Sequence, residues 1–462
     1  MAKSADQLIE EPTADFPDLV DLVINEETKA VEFWCIGPLR GETSFVTRVN
    51  AGLTTSGHTT VWIPPEKNAL PWVLPRRGEV GRHVDGDTDP CYFRDLLRWI
   101  TDNVDLPSRA FAVLLTAWVV HTFLIDLLSD SPYILLLGPP EYGKSRALVT
   151  CISVARRGIL TSTAREAALI RYATDLRASV AIDAIDFMAQ VRPMQDYFAA
   201  RTKHDGTVTT RVLDHKAGPF KGTQHYEAFG ATLVTSNTAL SEDWIASRTL
   251  VVMACRGVRD FPAPIDKSLA LVLKERGTAF RARMMQRVLA EGSLPIPQRM
   301  APGRLGDMMA GLALALQLTD PSYLPVLHGL AETFAAARKA EVGDTFEVDL
   351  LRACIAQLDQ GDEAQIDVKL TDLVYAMNIE RSQVGERSVS SRKISPVLRT
   401  TLGLTVWTGS GNYTYVTLPR TRLSELAARY GLRVPSELVN DEARLGHGQV
   451  PKNTMPPRST VN

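Results

Sequence analysis

Cysteine is scarce and scattered. The five residues Cys35, Cys91, Cys151, Cys255 and Cys354 include no C-x-x-C pair, which argues against a disulfide framework or zinc ribbon and for reduced thiols in a cytoplasm. An excess of one charge is also lacking: Lys and Arg number 51 and Asp and Glu 53, for a net charge of −2. Nucleic acid cannot be held by an overall field this weak, so any such contact must come from local basic patches. Long apolar runs are few. The stretch FAVLLTAWVVHTFLIDLL from Phe111 is interrupted by His121 and Asp126, so its continuous part is too short for a bilayer and reads as a buried helix. The opening MAKSADQLIEEP has no apolar signal core, and neither secretion nor a membrane span is expected. What remains is an ordinary globular composition, 45% hydrophobic and 23% charged over 462 residues, long enough for two to four domains.

Organisation changes along the chain. Residues 1–90 alternate short apolar runs such as VEFWCIG and TTVWIP with Gly and Pro turns, the pattern of a β-rich module. Helical periodicity follows from about Tyr92 to Leu128, and Pro132 ends it. Apolar runs at Ile134–Leu137, Ser179–Ile182, Ala231–Thr235 and Thr249–Ala254, with a further strand near Gly158–Thr163, are separated by helical stretches. Such alternation gives a parallel α/β sheet over 91–262. Helices alone are expected over 263–345. Residues 346–420 read as three helices followed by two strands, and 421–462 as a helix and a disordered tail.

Gly138-Pro139-Pro140-Glu141-Tyr142-Gly143-Lys144-Ser145 matches G-x-x-x-x-G-K-[ST] at every fixed position and lies between an apolar strand and a helix. Phosphates need that spacing, because backbone N–H groups wrap them at a helix N-terminus. Lys144, expected to be exposed in the empty site, would reach the β- and γ-phosphates, and Ser145 would ligate Mg²⁺. The expected ATP site takes in the whole loop and the adjoining Arg146. Asp183 ends the strand VAID, where a carboxylate can complete the Mg²⁺ shell. Asn237 ends ATLVTSN, and Ser247-Arg248 precedes TLVVMA.

Taken in order, these motifs resemble AAA+ ATPases, above all the replicative and mobile-element helicases related to the minichromosome-maintenance group. The resemblance covers about Tyr92 to Leu318 and is carried by Ile182-Asp-Ala-Ile-Asp-Phe-Met188, by VVHTFLIDLLSDSPYILLLGPP and by ATLVTSNTALSEDWIASRTLVVMA. It implies a helical lid, a hexameric ring of identical chains and single-stranded DNA in its channel. Asn237 then matches the first sensor, which orients the attacking water, Arg248 the arginine finger and Arg304 the second sensor. A β-hairpin within Thr207–Gln224 would touch DNA through Arg211, Lys216 and Lys221, unless these are simply solvated loop charges. One position departs from the family: its catalytic Glu is Ala184 here. Turnover is thereby in doubt while binding is not, and Asp186 or Glu242 could substitute.

Three helices and a two-stranded wing after residue 346 form a winged-helix pattern. In its third helix Arg392, Lys393 and Arg399 could meet duplex phosphates, and protein docking is the alternative. The expected fold is thus α/β: an AAA+ P-loop NTPase core with helical lid, N-terminal β-rich module and C-terminal winged-helix domain. The expected activity is that of an ATP- and Mg²⁺-dependent DNA helicase or translocase of a phage or mobile element. The rival reading is a loader or regulator that hydrolyses ATP poorly.

Overall fold

A computed structural model describes residues 8–37, 42–53, 59–162, 166–183, 192–211, 223–238, 245, 247–261, 264–297, 299–343, 346–358, 364–383, 388–430 and 432. Ala184, Asp186, Lys216, Lys221, Glu242 and the tail beyond residue 432 lie outside them. The chain divides into two compact units, 1–333 and 334–462.

The first unit opens with β1 (Leu8–Pro12), β2 (Leu19–Ile24), β3 (Val31–Ile36), β4 (Thr43–Val46), β5 (Val49–Leu53) and β6 (Thr59–Ile63). They form two three-stranded sheets, β2-β3-β4 and β1-β6-β5. Helices α1 (Arg77–Gly86), α2 (Asp89–Asn103) and α3 (Arg109–Leu124) follow. Helix α3 is the apolar stretch of the sequence, and every residue from Ala112 to Leu124 is buried. By length and composition this helix could cross a membrane, but apolarity on all sides is equally what a helix enclosed by its own protein requires.

Next come β7 (Tyr133–Leu137), α4 (Lys144–Val154), β8 (Gly158–Thr161), α5 (Glu166–Thr174), β9 (Ser179–Ile182) and α6 (Arg192–Arg201). The hairpin β10 (Thr207–Arg211) and β11 (Thr223–Glu227) precedes β12 (Thr232–Ser236) and β13 (Thr249–Met253). Five of these strands make one sheet in the order β13-β7-β12-β9-β8, and every pairing in it is parallel. The fold is therefore mixed α/β around a parallel sheet. Both faces of that sheet are covered, which is why its strands read as continuous apolar runs. Leu19, Leu22 and Phe33 of the N-terminal strands share a buried cluster with Tyr133, Leu135, Ile159 and Val180 of the sheet.

Helices α7 (Lys267–Glu291), α8 (Gly303–Thr319) and α9 (Leu324–Gly343) complete this part of the chain. Charge also ties α7 to the N-terminal strands. Arg281 donates to the carbonyls of Val20 and Leu19 at 2.7 and 3.3 Å and pairs with Asp126 at 2.6 Å. Asp21 accepts from Arg157 at 2.6 Å and Arg156 at 3.3 Å. Burial alone would raise Asp21, but the guanidinium groups of Arg157, Arg156 and Arg281 together hold its carboxyl below the ordinary value.

The second unit contains α10 (Phe346–Leu358), β14 (Gln365–Lys369), α11 (Leu370–Gln383), α12 (Ser391–Pro396), β15 (Thr405–Thr408), β16 (Thr414–Pro419) and α13 (Arg420–Arg429). The two-stranded wing of the sequence reading is corrected here: the sheet has three strands, ordered β14-β16-β15. Strand β14, QIDVK, has only two apolar residues and alternates between exposed and half-buried positions, too short a pattern to stand out beside the helix that follows it.

Candidate functional site at the carboxyl edge of the parallel sheet

Strand β7 delivers the loop 138–143 to the carboxyl edge of the sheet. Gly138 passes so close to β13 that a Cβ there would lie 3.1 Å from Ala254 Cβ, and its N–H donates to the Ser236 carbonyl at 3.2 Å. Gly143 caps α4 with φ 73°, in the left-handed region that glycine adopts without steric cost. Glu141 also has φ 68°, a conformation less usual for a residue with a side chain.

The loop encloses the Lys144 ammonium. Its Nζ donates to the carbonyls of Gly138 and Pro139, both at 2.6 Å, and to Asn237 Oδ1 at 3.0 Å. Lys144 is 8% exposed, which corrects the expectation of an exposed lysine: the backbone carbonyls satisfy its charge before any phosphate does. Because β12 lies between β7 and β9, Asn237 comes from the neighbouring strand, and Asp183 ends the strand beyond it. Asp183 accepts from Thr235 Oγ1 at 2.6 Å, and its N–H is held by the Thr161 carbonyl at 2.9 Å. A cavity of about 460 Å³ opens among these groups, lined by Pro140 through Arg146, Asp183, Thr235, Ser236 and Asn237.

The sequence reading missed Thr235 and Ser236. The signal was there in two hydroxyls closing an otherwise apolar strand directly before Asn237.

Arg248 and Arg304 lie elsewhere. Arg248 precedes β13, and its carbonyl accepts from Tyr133 N at 3.1 Å, so it sits at the amino edge of the sheet. The register Thr249↔Tyr133 to Met253↔Leu137 places the whole strand, about 20 Å from end to end including the flanking residues, between it and the loop that starts at Gly138. Arg304 Nη1 donates to Ser247 Oγ at 2.6 Å, which brings it beside Arg248. Burial and then the repulsion of Arg304 lower the pKa of Arg248. Neither arginine lines the Lys144 cavity.

Of the expected DNA-contacting residues, Arg211 ends β10, which pairs with β11 in an antiparallel hairpin. In the second unit Arg392, Lys393 and Arg399 are all exposed. Lys393 Nζ lies 4.7 Å from the ring centroid of Phe346, and Arg399 donates to the Val406 carbonyl at 3.2 Å.

No protein-family model matches the chain, and no curated protein matches it in sequence. Among solved structures it is similar to "SCCmec type IV Cch - active helicase", at 11% identity and TM-score 0.42, over 92% of this chain and 81% of that one. The apo structure of the NrS-1 C-terminal region is similar at 9% identity and TM-score 0.37, over 86% of this chain and 96% of that one. Cdc6p from Pyrobaculum aerophilum is similar at 11% identity and TM-score 0.18, over 73% and 95% respectively. At such TM-scores the function has to be read from the chain's own residues.

Proposed function

We propose that the chain binds ATP with Mg²⁺ at the carboxyl edge of its parallel sheet and works on DNA as a ring-forming AAA+ ATPase, a helicase or translocase of a phage or mobile element. One observation carries the nucleotide part: a lysine, a hydroxyl, a carboxylate and an amide from three different strand ends converge on one cavity of about 460 Å³. The donor set fits the ligand. Loop N–H groups and the start of α4 suit phosphates, and Ser145 and Asp183 would hold Mg²⁺, which offsets phosphate charge. Lys144 would exchange its carbonyl partners for phosphate oxygens. Asn237 would orient water, and the bond from Thr235 keeps Asp183 turned toward the cavity.

Assembly into a ring of identical subunits is supported by the distance of Arg248 and Arg304 from their own chain's cavity. Two guanidinium groups held together at the opposite edge suit a neighbour's phosphates. Residues 263–345 would serve as the lid, and residues 346–420, with their helices and three-stranded sheet, as a winged helix on duplex DNA.

A second reading, a loader or regulator with weak hydrolysis, is favoured by Ala184 alone, which offers no polar atom where a base is expected. ATPase rates with and without single-stranded DNA separate the two. Slow turnover that rises about 10²-fold in Ala184→Glu supports the motor. No turnover in wild type, with or without DNA, leaves the regulator.

A further inference from the structure

Strand β16 turns Val416 and Leu418 into the core of the second unit. The alternate residues Tyr415 and Thr417 therefore face away from it. Tyr415 is paired with Trp407 of β15 on one side and Lys369 of β14 on the other. The Trp407 and Tyr415 rings stack with centroids 5.0 Å apart. Tyr413 extends the row at 52% exposure, Trp407 is 39% exposed, and Lys369 Nζ lies 4.8 Å from the Tyr413 ring centroid.

The arrangement is held in place. Trp407 Nε1 donates to Thr417 Oγ1 at 3.2 Å, and Thr417 donates to Asp367 at 2.6 Å, which fixes the indole. The turn is fitted to the rings: a Cβ on Gly409 would meet Tyr415 at 2.9 Å and Trp407 at 3.0 Å. A cross-strand aromatic pair stabilises a sheet modestly, but that does not account for Tyr413 at the same face or for the cations around it. Arg399 reaches the carbonyl of Val406, next to Trp407. Neither Lys369 nor Arg399 has an acidic partner among the described residues, and the one carboxylate of this face, Asp367, is engaged by Thr417.

We propose that the outward face of the β14-β16-β15 sheet is a stacking platform for unpaired nucleic-acid bases. Trp407 and Tyr413 offer ring faces, and Lys369 and Arg399 meet the flanking phosphates. Rings interleaved with cations suit single strands, because every base has a π-face to stack. A duplex keeps its bases stacked on one another and would find only the cations. The inference rests on the reading that this chain works on DNA, but not on the nucleotide site, and it adds a surface separate from Arg392 and Lys393.

The test is fluorescence anisotropy of the full chain with a labelled oligothymidylate and with a duplex of equal length, at fixed salt. Trp407→Ala combined with Tyr413→Ala should weaken single-strand binding about 10- to 100-fold and leave duplex binding unchanged. The salt slope should stay the same, since stacking releases no counterions. Trp407→Phe with Tyr413→Phe should keep most of the affinity. Equal losses on both DNAs, or no loss on either, overturn the proposal. So does a variant with unaltered DNA affinity whose wild-type parent self-associates through this face by light scattering. If wild type binds neither DNA while still binding ATP, the DNA reading itself falls.

Discussion

The two edges of the parallel sheet solve the same electrostatic problem in opposite ways. At each, a cation is satisfied by backbone carbonyls. At the amino edge Arg201 donates to the carbonyls of Ala178, Ala228 and Ala231 and to Thr232 Oγ1, at 2.7 to 3.2 Å, and is 0% exposed. Gly230 must lack a side chain there, since a Cβ would lie 2.6 Å from Arg201 Nη2. At the carboxyl edge Lys144 takes two carbonyls and an amide but fronts the cavity. A guanidinium with every partner supplied by protein is a plug. An ammonium whose partners can be exchanged for a ligand's oxygens is a binding group.

The sharpest way to break this contrast is at Arg248, which lies at the amino edge without being sealed in. If it completes a neighbour's site, Arg248→Ala made in an Ala184→Glu background should cut ATP turnover by about 10³-fold while calorimetry finds ATP affinity unchanged. Turnover equal to the parent's would return Arg248 to a merely structural role.

Arg201 tests the plug. Replacing it with Met orphans buried carbonyls that no water can reach, so a loss of about 3–5 kcal/mol is expected. Thermal denaturation should show it as a fall of about 5–10 °C, with ATP affinity retained while the fold persists. A shift within a degree would mean that the carbonyls find other partners and the edge is not sealed.

Lys144 is the mirror experiment, with a smaller effect on stability and its main effect on binding. Lys144→Ala removes three hydrogen bonds but leaves carbonyls facing a cavity that water can enter, so about 1 kcal/mol of stability is expected to go. ATP affinity should fall at least about 10²-fold, because the lysine is the charge nearest the expected phosphates. Unaltered affinity would remove the nucleotide assignment.

These two cations also show what sequence can and cannot disclose. Lys144 was legible because the chemistry of a phosphate loop is written within eight consecutive residues and bracketed by an apolar strand and a helix. All five strands of the sheet were legible, four of them for a related reason, since burial on both faces leaves a mostly apolar run. Arg201 gave no signal, because its partners lie 23 to 31 residues away and only the fold gathers them. The same holds for Arg157 with Asp21, 136 residues apart, and for Arg304 with Ser247, 57 apart. Thr235 was visible as a polar residue in an apolar strand, but its bond to Asp183 depends on the order in which strands are laid down, which no local pattern records.

The smallest expected effect distinguishes the edges by pH. His121 in α3 is buried, and the nearby Gly311, where a Cβ would lie 3.0 Å from its ring and 3.5 Å from the Asp130 carbonyl, sets it beside the chain leading into β7 at the amino edge. Burial pushes its pKa down to about 4, the Asp130 carbonyl opposing this only in part. The unfolded chain therefore takes up this proton first, as pH falls through about 6.5. Stability is complete above that value and declines toward pH 4, by about 1 kcal/mol between pH 7 and 5.5. Asp21 and Asp126 belong to a separate window, because their folded pKa values lie below the ordinary 3.8 and their contribution is lost only in stronger acid. Thermal midpoints of wild type and His121→Leu across pH 5.5–7 isolate the histidine: the variant should lose most of the slope. An equal slope in both would place the acid sensitivity outside the helix that backs the amino edge.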